Sequence, residues 1–399
     1  MDFDLPAHLN EVRESVERFA ATEIEPAIAE VERAGIFPRD IVRKMGEAGF
    51  FGAVFPESVG GSAMGFLAVA VIAEEISRLR PEFGYCMNLQ AMTCPFTILN
   101  WGNPSQIERF VPDLIGGRRI GMFALSESGG GSDAAGSMKT RAERRGDRYI
   151  LNGSKMWITF ADACDAGVIF AKTDPAAGHR GVTAFIIEPK ISKGYSAKPI
   201  PMKSLSNVLR SNAVFLDDVE IPVENRLGEE GEGFKIAMNA LDYGRLTVSA
   251  RLVGLAQACL DASIAYARAR TVGGHALGRY QMIQHLIADM TVNVEAARLM
   301  TCRMACLMDR GEPATRAASR AKYLAAQAAR HAALAVAEIH GGYALADEYR
   351  VQYLTAYINM LNVGEGAANV QRILIAEDAL GYKNANRHRV RRHDAKAAE

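Results

Sequence analysis

The chain has 399 residues, 49% hydrophobic and 23% charged, which supplies enough apolar material for two or three packed layers or domains and sets disorder aside. Lys plus Arg and Asp plus Glu both number 46. A net charge of zero argues against a strongly electrostatic grip on nucleic acid or an anionic membrane and favours a small or neutral partner.

The first stretch, "MDFDLPAHLNEVRESVERFA", is acidic and amphipathic, without the basic n-region and apolar run of a signal peptide or the Arg-rich pattern of a transit peptide. No apolar run elsewhere reads as membrane-spanning. Cys86, Cys94, Cys164, Cys259, Cys302 and Cys306 are scattered, which suits reduced thiols in a cytoplasmic protein better than a disulfide framework. Only Cys302 and Cys306 share a helix face, and with no second pair or His cluster they read as core packing, so no metal site is expected.

From Leu9 to about Gly117 the period is helical, broken by "FPESVGGSAMG" and by prolines, giving one helical domain over 1–117. Over 118–225 it shortens to strand-like runs, "RIGMFALSE", "RYILNGSKMWIT", "AGVIFAKT", "GVTAFIIEP" and "SNAVFLDDVEIP", which predict a middle β domain. After "GEEGEG" the helices return over 226–399. "FKIAMNALDYGRLTVSARLVGLAQACLDASIAYARAR" stays helical without a proline, and two further long segments, Ala-rich in part, predict an antiparallel bundle. Faces apolar on several sides point to burial against other subunits. The end, "KNANRHRVRRHDAKAAE", is basic and reads as a solvated tail. The expected fold class is α+β.

"IGMFALSESGGGSDAAGS" contains Gly129-x-Gly131-x-x-Ala134 after a strand, close to a dinucleotide fingerprint. That fingerprint requires a helix next, whereas "SMKTRAERRGDRYILNG" continues as a hairpin, so a nicotinamide Rossmann site is not expected. What remains is a Gly-rich loop able to bring backbone N–H groups to a ligand, or a tight turn. In "LNGSKMWIT", Trp157 and Thr159 alternate on one strand face beside Lys155. They wall a planar cofactor or fill a core, and the motif alone does not choose. In "LDYGR", Asp242 and Arg245 stand at i and i+3 and read on their own as a surface ion pair. Arg270 flanks the turn "VGGHALG", and "EIHGG" ends a helix with Gly341 and Gly342, His340 reading as a helix-end cap. "NVGEGAAN" sets one carboxylate, Glu365, between two glycines in an apolar, neutral stretch.

Together and in this order, "ALSESGGGSD", "LNGSKMWIT", "LDDVEIPVENRLGEEGEGF", "LDYGR", "EIHGG" and "GEG" resemble the acyl-CoA dehydrogenase family over nearly the whole chain. The N-terminal half leans towards its glutaryl-CoA branch. The resemblance implies an N-terminal helical domain, a middle β-barrel-like domain and a C-terminal four-helix bundle, assembled as a homotetramer or homodimer. It implies FAD, with Phe123, Leu125, Ser126, Ser132, Trp157, Ile158 and Thr159 at the isoalloxazine end. Arg270, Gln281, Glu338, Gly341, Gly342, Ala367 and Asn369 would hold the pyrophosphate and adenosine end. Ser132, Asp242, Arg245 and Gly366 would line the path of an acyl thioester. Glu365 matches the base that takes the α-proton while a hydride leaves the β-carbon for the flavin, electrons then passing to an electron-transfer flavoprotein.

Some positions depart from the family pattern. Gly273 stands for an aromatic, Glu338 for a Gln, Ala367 and Asn369 for a Thr and an acidic or amide residue, Ala356-Tyr357 for an Arg-Asp pair and Gly364 for a Tyr. Gly84 stands where the glutaryl branch has an Arg for the distal carboxylate, so a dicarboxylic substrate is expected to lose its anchor. Two alternatives remain in view: a dehydrogenase of acyl groups on a carrier protein, and a non-dehydrogenating scaffold or nucleic-acid-binding relative.

Overall fold

A computed structural model describes residues 4–203 and 205–382. The basic tail therefore lies outside the described residues. The first part is helical: α1 (Ala7–Phe19), α2 (Ile28–Ala34), α3 (Arg39–Glu47), α4 (Phe66–Leu79), α5 (Gly84–Asn88), α6 (Pro95–Trp101) and α7 (Pro104–Ile115). The start of α7 is fixed locally: Asn103 and Gln106 form a reciprocal capping box, and Pro104 takes the first turn, where its missing N–H costs nothing. α4 is capped from a distance, by Asp309 Oδ1 and Oδ2 accepting from Phe66 N (2.5 Å) and Leu67 N (3.2 Å).

The middle part is one eight-stranded sheet: β1 (Gly121–Ala124), β2 (Arg141–Arg145), β3 (Arg148–Thr159), β4 (Ala166–Lys172), β5 (Val182–Ile187), β6 (Tyr195–Pro199), β7 (Ser211–Pro222) and β8 (Arg226–Leu227). Its order is β6-β7-β3-β2-β4-β5-β8, with β1 parallel to β4. β4 and β5 are buried almost throughout, as expected of apolar runs covered on both faces, whereas β7 tends to alternate. β8 carries the sheet two residues past 225. β6 escaped the sequence reading because "YSAKP" is short, polar and ends in proline, the marks of an edge strand.

The bundle follows as α8 (Gly233–Ala269), α9 (Gln281–Asp309), α10 (Thr315–His340), α11 (Val351–Val363) and α12 (Ala368–Ala379). α8 is 37 residues long and, at 1.5 Å per residue, roughly 55 Å from end to end. By length and composition α8 could cross a membrane, which the sequence reading did not register. Since 67% of its most apolar window is buried inside the protein, it is the core helix of the bundle. Alanines 318, 321, 325, 329 and 332 of α10 are fully buried and let it pack closely on α8. One continuous apolar core joins the N-terminal helices to the bundle, and a second, smaller one lies in the sheet. Residues far apart in sequence thus meet around α8.

Candidate active site

α11 stops at Val363, and the chain turns through Gly364 (φ −67°, ψ 155°), Glu365 (φ 53°) and Gly366 (φ 85°) before α12. A left-handed glutamate costs on the order of 1–2 kcal/mol and persists only where its surroundings impose it. Here Lys322 of α10, fully buried, donates to Asn362 O (3.1 Å) and Gly366 O (3.0 Å), and Gln371 Nε2 donates to Gly366 O (3.0 Å). Of the two flanking glycines only Gly366 requires glycine. A Cβ there would meet Gln371 Nε2 at 2.7 Å, whereas one on Gly364 would find its nearest neighbour at 3.7 Å.

The turn aims the carboxylate inward. Oε1 accepts from Asn88 Nδ2 (2.8 Å), whose Oδ1 accepts from Thr247 Oγ1 (2.6 Å). Oε2 is shielded from solvent and has no hydrogen-bond partner among the described residues. A Cβ on Gly244 of α8 would lie 3.0 Å from Oε2, so the glycine in "LDYGR" lets the acid approach the helix. Burial pushes the Glu365 pKa up, against the Asn88 hydrogen bond and the charges of Arg245, Lys322 and Arg251. The result is a carboxyl group with reduced preference for ionisation, the direction that strengthens a carboxylate as a proton acceptor.

Asp242 and Arg245 do not form the surface pair that the bare motif suggested. They are 5% and 6% exposed and bond at 2.7 Å, and Thr315 Oγ1 donates to Asp242 Oδ2 at 2.6 Å. The error arose because α8, an interior helix, is surrounded on nearly every side, so i, i+3 spacing says nothing of exposure.

The Gly-rich loop after β1 runs into turns and then β2, with no helix. Ser132 is exposed on it, and Phe123 packs edge-on to Phe170 at 5.0 Å. Met156 N donates to Ser126 O (2.9 Å), tying the loop to β3, and the buried Lys155 donates to Leu125 O (3.3 Å) and Glu127 Oε1 (2.8 Å). β3 does not alternate simply there. A bulge between Lys155 and Ile158, with Trp157 at φ 66°, turns the indole outward while Ile158 stays buried and Thr159 Oγ1 meets Ser211 Oγ at 3.3 Å. At 58% exposure Trp157 is no core filler.

A third group gathers at the far end of α8. Arg270, Glu338, Gly341 and Gly342 line a cleft of about 590 Å³ together with Tyr266 and Tyr343, and Arg270 lies over the Tyr343 ring at 5.5 Å. Gln281, exposed at the start of α9, is not among its lining residues. His340 bonds back to Val336 O (2.8 Å) and stacks on Tyr266, as a helix-end residue does. Gly273 and Gly274 (φ 57° and 81°) make the tight turn between two short paired strands, which explains a glycine there. Ala367 caps α12, and exposed Asn369 accepts from Arg372 Nη1 (2.6 Å). No group of three or more His, Cys, Asp or Glu suited to a metal occurs among the described residues.

Asn88, Thr247, Lys322 and Arg251 were missed by sequence reasoning. Each is a buried polar residue in a mostly apolar helical stretch, as in "AASRAKYLAAQAA", a signal visible only once the helix is known to be interior.

The chain thus brings together a solvent-shielded carboxyl group in an imposed turn and an inward ion pair beside it, and carries a guanidinium-lined cleft at the far end of α8 and an outward indole on β3. The chain belongs to the acyl-CoA dehydrogenase family: residues 6–118, 122–219 and 231–380 match its N-terminal, middle and C-terminal domains. It is 38% identical to the glutaryl-CoA dehydrogenase of Desulfococcus multivorans over 97% of this chain and 100% of that one. It is also 38% identical to the caffeyl-CoA reductase-Etf complex subunit CarC of Acetobacterium woodii, over 91% and 95%. The solved glutaryl-coenzyme A dehydrogenase glutaryl-CoA complex superposes with a TM-score of 0.94 at 38% identity, covering 98% of this chain and 100% of that one. The protein is an oxidoreductase acting on acyl-CoA, and FAD is the cofactor of its family, one solved relative being an FAD complex. The residues present fit that cofactor: Arg270 supplies a cation in the cleft, Gly341 and Gly342 leave its wall free of side chains, and Trp157 offers an open aromatic face.

Proposed function

We propose that this enzyme carries out α,β-dehydrogenation of an acyl-CoA thioester with Glu365 as the base. The observation that carries the reading is the Glu365 carboxylate, shielded from solvent, unpaired at Oε2 and set against Gly244. FAD, when bound, supplies the hydride acceptor. Everything else falls to the chain. Glu365 takes the α-proton on Oε2 while Asn88 holds Oε1, and backbone N–H groups of the left-handed turn polarise the thioester carbonyl. The Asp242–Arg245 pair and Ser132 guide the thioester arm. Phe123, Leu125, Ser126, Trp157, Ile158 and Thr159 hold the ring end of the cofactor. Arg270, Glu338, Gly341 and Gly342 hold the adenosine end, with Ala367 and Asn369 beside them and Gln281 reaching it from a neighbouring subunit.

Assembly as a homotetramer or homodimer is supported by apolar side chains left outward on the bundle, Met282, Val292 and Leu334 at 73%, 67% and 68% exposure. The Etf-complex relative supports an electron-transfer flavoprotein as electron acceptor. The cysteines of the chain, all free, support a reducing, cytoplasmic setting. The test is the visible spectrum of the purified protein followed by anaerobic bleaching with a panel of acyl-CoAs. Glu365→Gln keeps the flavin and loses bleaching; full reduction of that variant by substrate overturns the assignment.

A further inference from the structure

Among the described residues, every fully or nearly buried Lys or Arg but one has at least one of its donors engaged, although Arg245 Nε is left without a partner. Lys155 meets Glu127, Lys322 meets two carbonyls and Arg245 meets Asp242. The exception is Arg251 of α8, 1% exposed, whose Nε and Nη2 have no hydrogen-bond partner among the described residues. These two nitrogens form one edge of the guanidinium fork, the edge that grips a carboxylate with two parallel N–H···O bonds. A buried guanidinium left without an anion costs several kcal/mol, and a chain that merely needed volume would place Met or Leu there.

Its surroundings extend the pattern. Arg251 lies over the Tyr85 ring at 4.8 Å, and Tyr85 Oη and Ser77 Oγ are likewise buried without partners. Gly84 lets both groups approach its backbone: a Cβ on it would sit 2.4 Å from Ser77 Oγ and 2.6 Å from Arg251 Nε. Gly244, against the Glu365 carboxylate, and Arg251 are seven residues apart on α8, hence on one face and roughly 10 Å apart along the axis. Long helical side chains lean towards the helix N-terminus, so the guanidinium leans back towards Glu365. The two groups feel each other's charge, yet Glu365 Oε1 is committed to Asn88.

We propose that Arg251 is the receptor for a second, anionic group on the substrate, a carboxylate carried a few carbons beyond the α-carbon of a short acyl chain. The inference rests on the acyl-thioester reading and goes beyond it by naming the substrate class and the residue that selects it. The carboxylate docks on the Nε–Nη2 edge with Tyr85 Oη and Ser77 Oγ as further donors. With its far end fixed, the chain presents the α-carbon at Glu365.

The test compares glutaryl-CoA with valeryl-CoA, equal in chain length and different in terminal charge, on the flavin-loaded enzyme and on Arg251→Met and Arg251→Lys. The wild type is expected to favour glutaryl-CoA in kcat/KM. Arg251→Met lowers that value roughly 100-fold while leaving valeryl-CoA within about three-fold, and Arg251→Lys restores part of the preference. In the Glu365→Gln background, glutaryl-CoA raises the melting temperature more than valeryl-CoA does, and Arg251→Met abolishes the difference. Equal use of both thioesters by the wild type, or a ratio unmoved by Arg251→Met, overturns the proposal and leaves Arg251 a structural cation on Tyr85. If butyryl-CoA reduces the flavin while this selectivity is absent, only the Arg251 inference falls. If no thioester reduces it, the dehydrogenase reading falls as well.

Discussion

Asn88 Nδ2 donates to Glu365 Oε1 at 2.8 Å across 277 residues of sequence, so the N-terminal helical domain holds one oxygen of the acid while the other has no hydrogen-bond partner among the described residues. The bond favours the ionised carboxylate against burial, which pushes its pKa up. Asn88→Ala removes that support, so the acid limb of the pH–kcat profile is expected to move to higher pH, with kcat at neutral pH lower by about 10-fold. Asn88→Gln, which can still donate, is expected to fall between. A pH profile of Asn88→Ala superimposable on the wild type would show that the bond does not tune the acid.

Glu365→Gln is expected to lose about 10²–10⁴-fold in activity. It also carries a stability signature with a defined sign. The folded-state pKa of Glu365 is raised above its unfolded value, so the folded protein holds this proton more tightly. That contribution is complete below the unfolded pKa and is lost as pH rises through the folded pKa. Glu365→Gln removes the dependence, so its melting temperature relative to wild type is expected to rise on going from acid to neutral pH. Parallel melting curves across that range would refute this.

The two glycines beside Glu365 looked equivalent in sequence and are not. Gly366 has φ 85° and a Cβ there would meet Gln371 Nε2 at 2.7 Å. Gly366→Ala is expected to destabilise by on the order of 1–2 kcal/mol and to misplace the acid. Gly364 is extended, with a clear Cβ position, and Gly364→Ala is expected to stay within about 0.5 kcal/mol of wild type. Thermal unfolding of the pair is the check, and equal losses would contradict the asymmetry.

Patterns of period and punctuation were enough to read the helix–sheet–helix order, since α8 and α10 keep a helical repeat and β4 and β5 are dense apolar runs. Motifs in register marked Glu365, Asp242 and Arg245. The bulge at Trp157 was not legible, because an extra residue in β3 depends on pairing with β7, 54 to 59 residues away in sequence and silent in local pattern. Gly84 read as the loss of an anchor. The structure instead brings Arg251 Nε to 2.6 Å from where a Gly84 side chain would begin, a contact between two helices that no single stretch of sequence contains. Lys322 was hidden for a related reason: its role is to satisfy carbonyls at residues 362 and 366, which are left open only by the left-handed turn.

Lys322→Met leaves those two carbonyls without their donor and frees the Glu365 turn. Flavin content is expected to stay unchanged while kcat falls about 10–100-fold, the effect of displacing a reacting group by a fraction of an ångström to one ångström. Burial brings the Lys322 pKa down to about 8, so folding disfavours its proton. The resulting penalty is full below pH 8 and lifts as pH rises towards the unfolded value. Lys322→Met is expected to flatten this rise in stability, measured by denaturant titration at pH 7 and pH 9.

The last test separates the sheet's contribution from the bundle's. Glu127 accepts from Lys139 N (2.6 Å), Thr140 N (3.1 Å), Thr140 Oγ1 (2.6 Å) and Lys155 Nζ (2.8 Å), which pins the base of the Gly-rich loop to β3 just before the Trp157 bulge. Burial would raise its pKa, but the Lys155 charge and these donors outweigh it and hold the carboxylate ionised. Lys155→Met strands that anion, and breaking one side of a buried pair costs about 3–5 kcal/mol. Because the loop and bulge carry Ser126 and Trp157, the variant is also expected to lose flavin on gel filtration, whereas Lys322→Met retains it. The flavin-to-protein absorbance ratio after the column distinguishes the two. Full retention by a folded Lys155→Met protein would show that the pair supports the sheet without shaping the cofactor's seat.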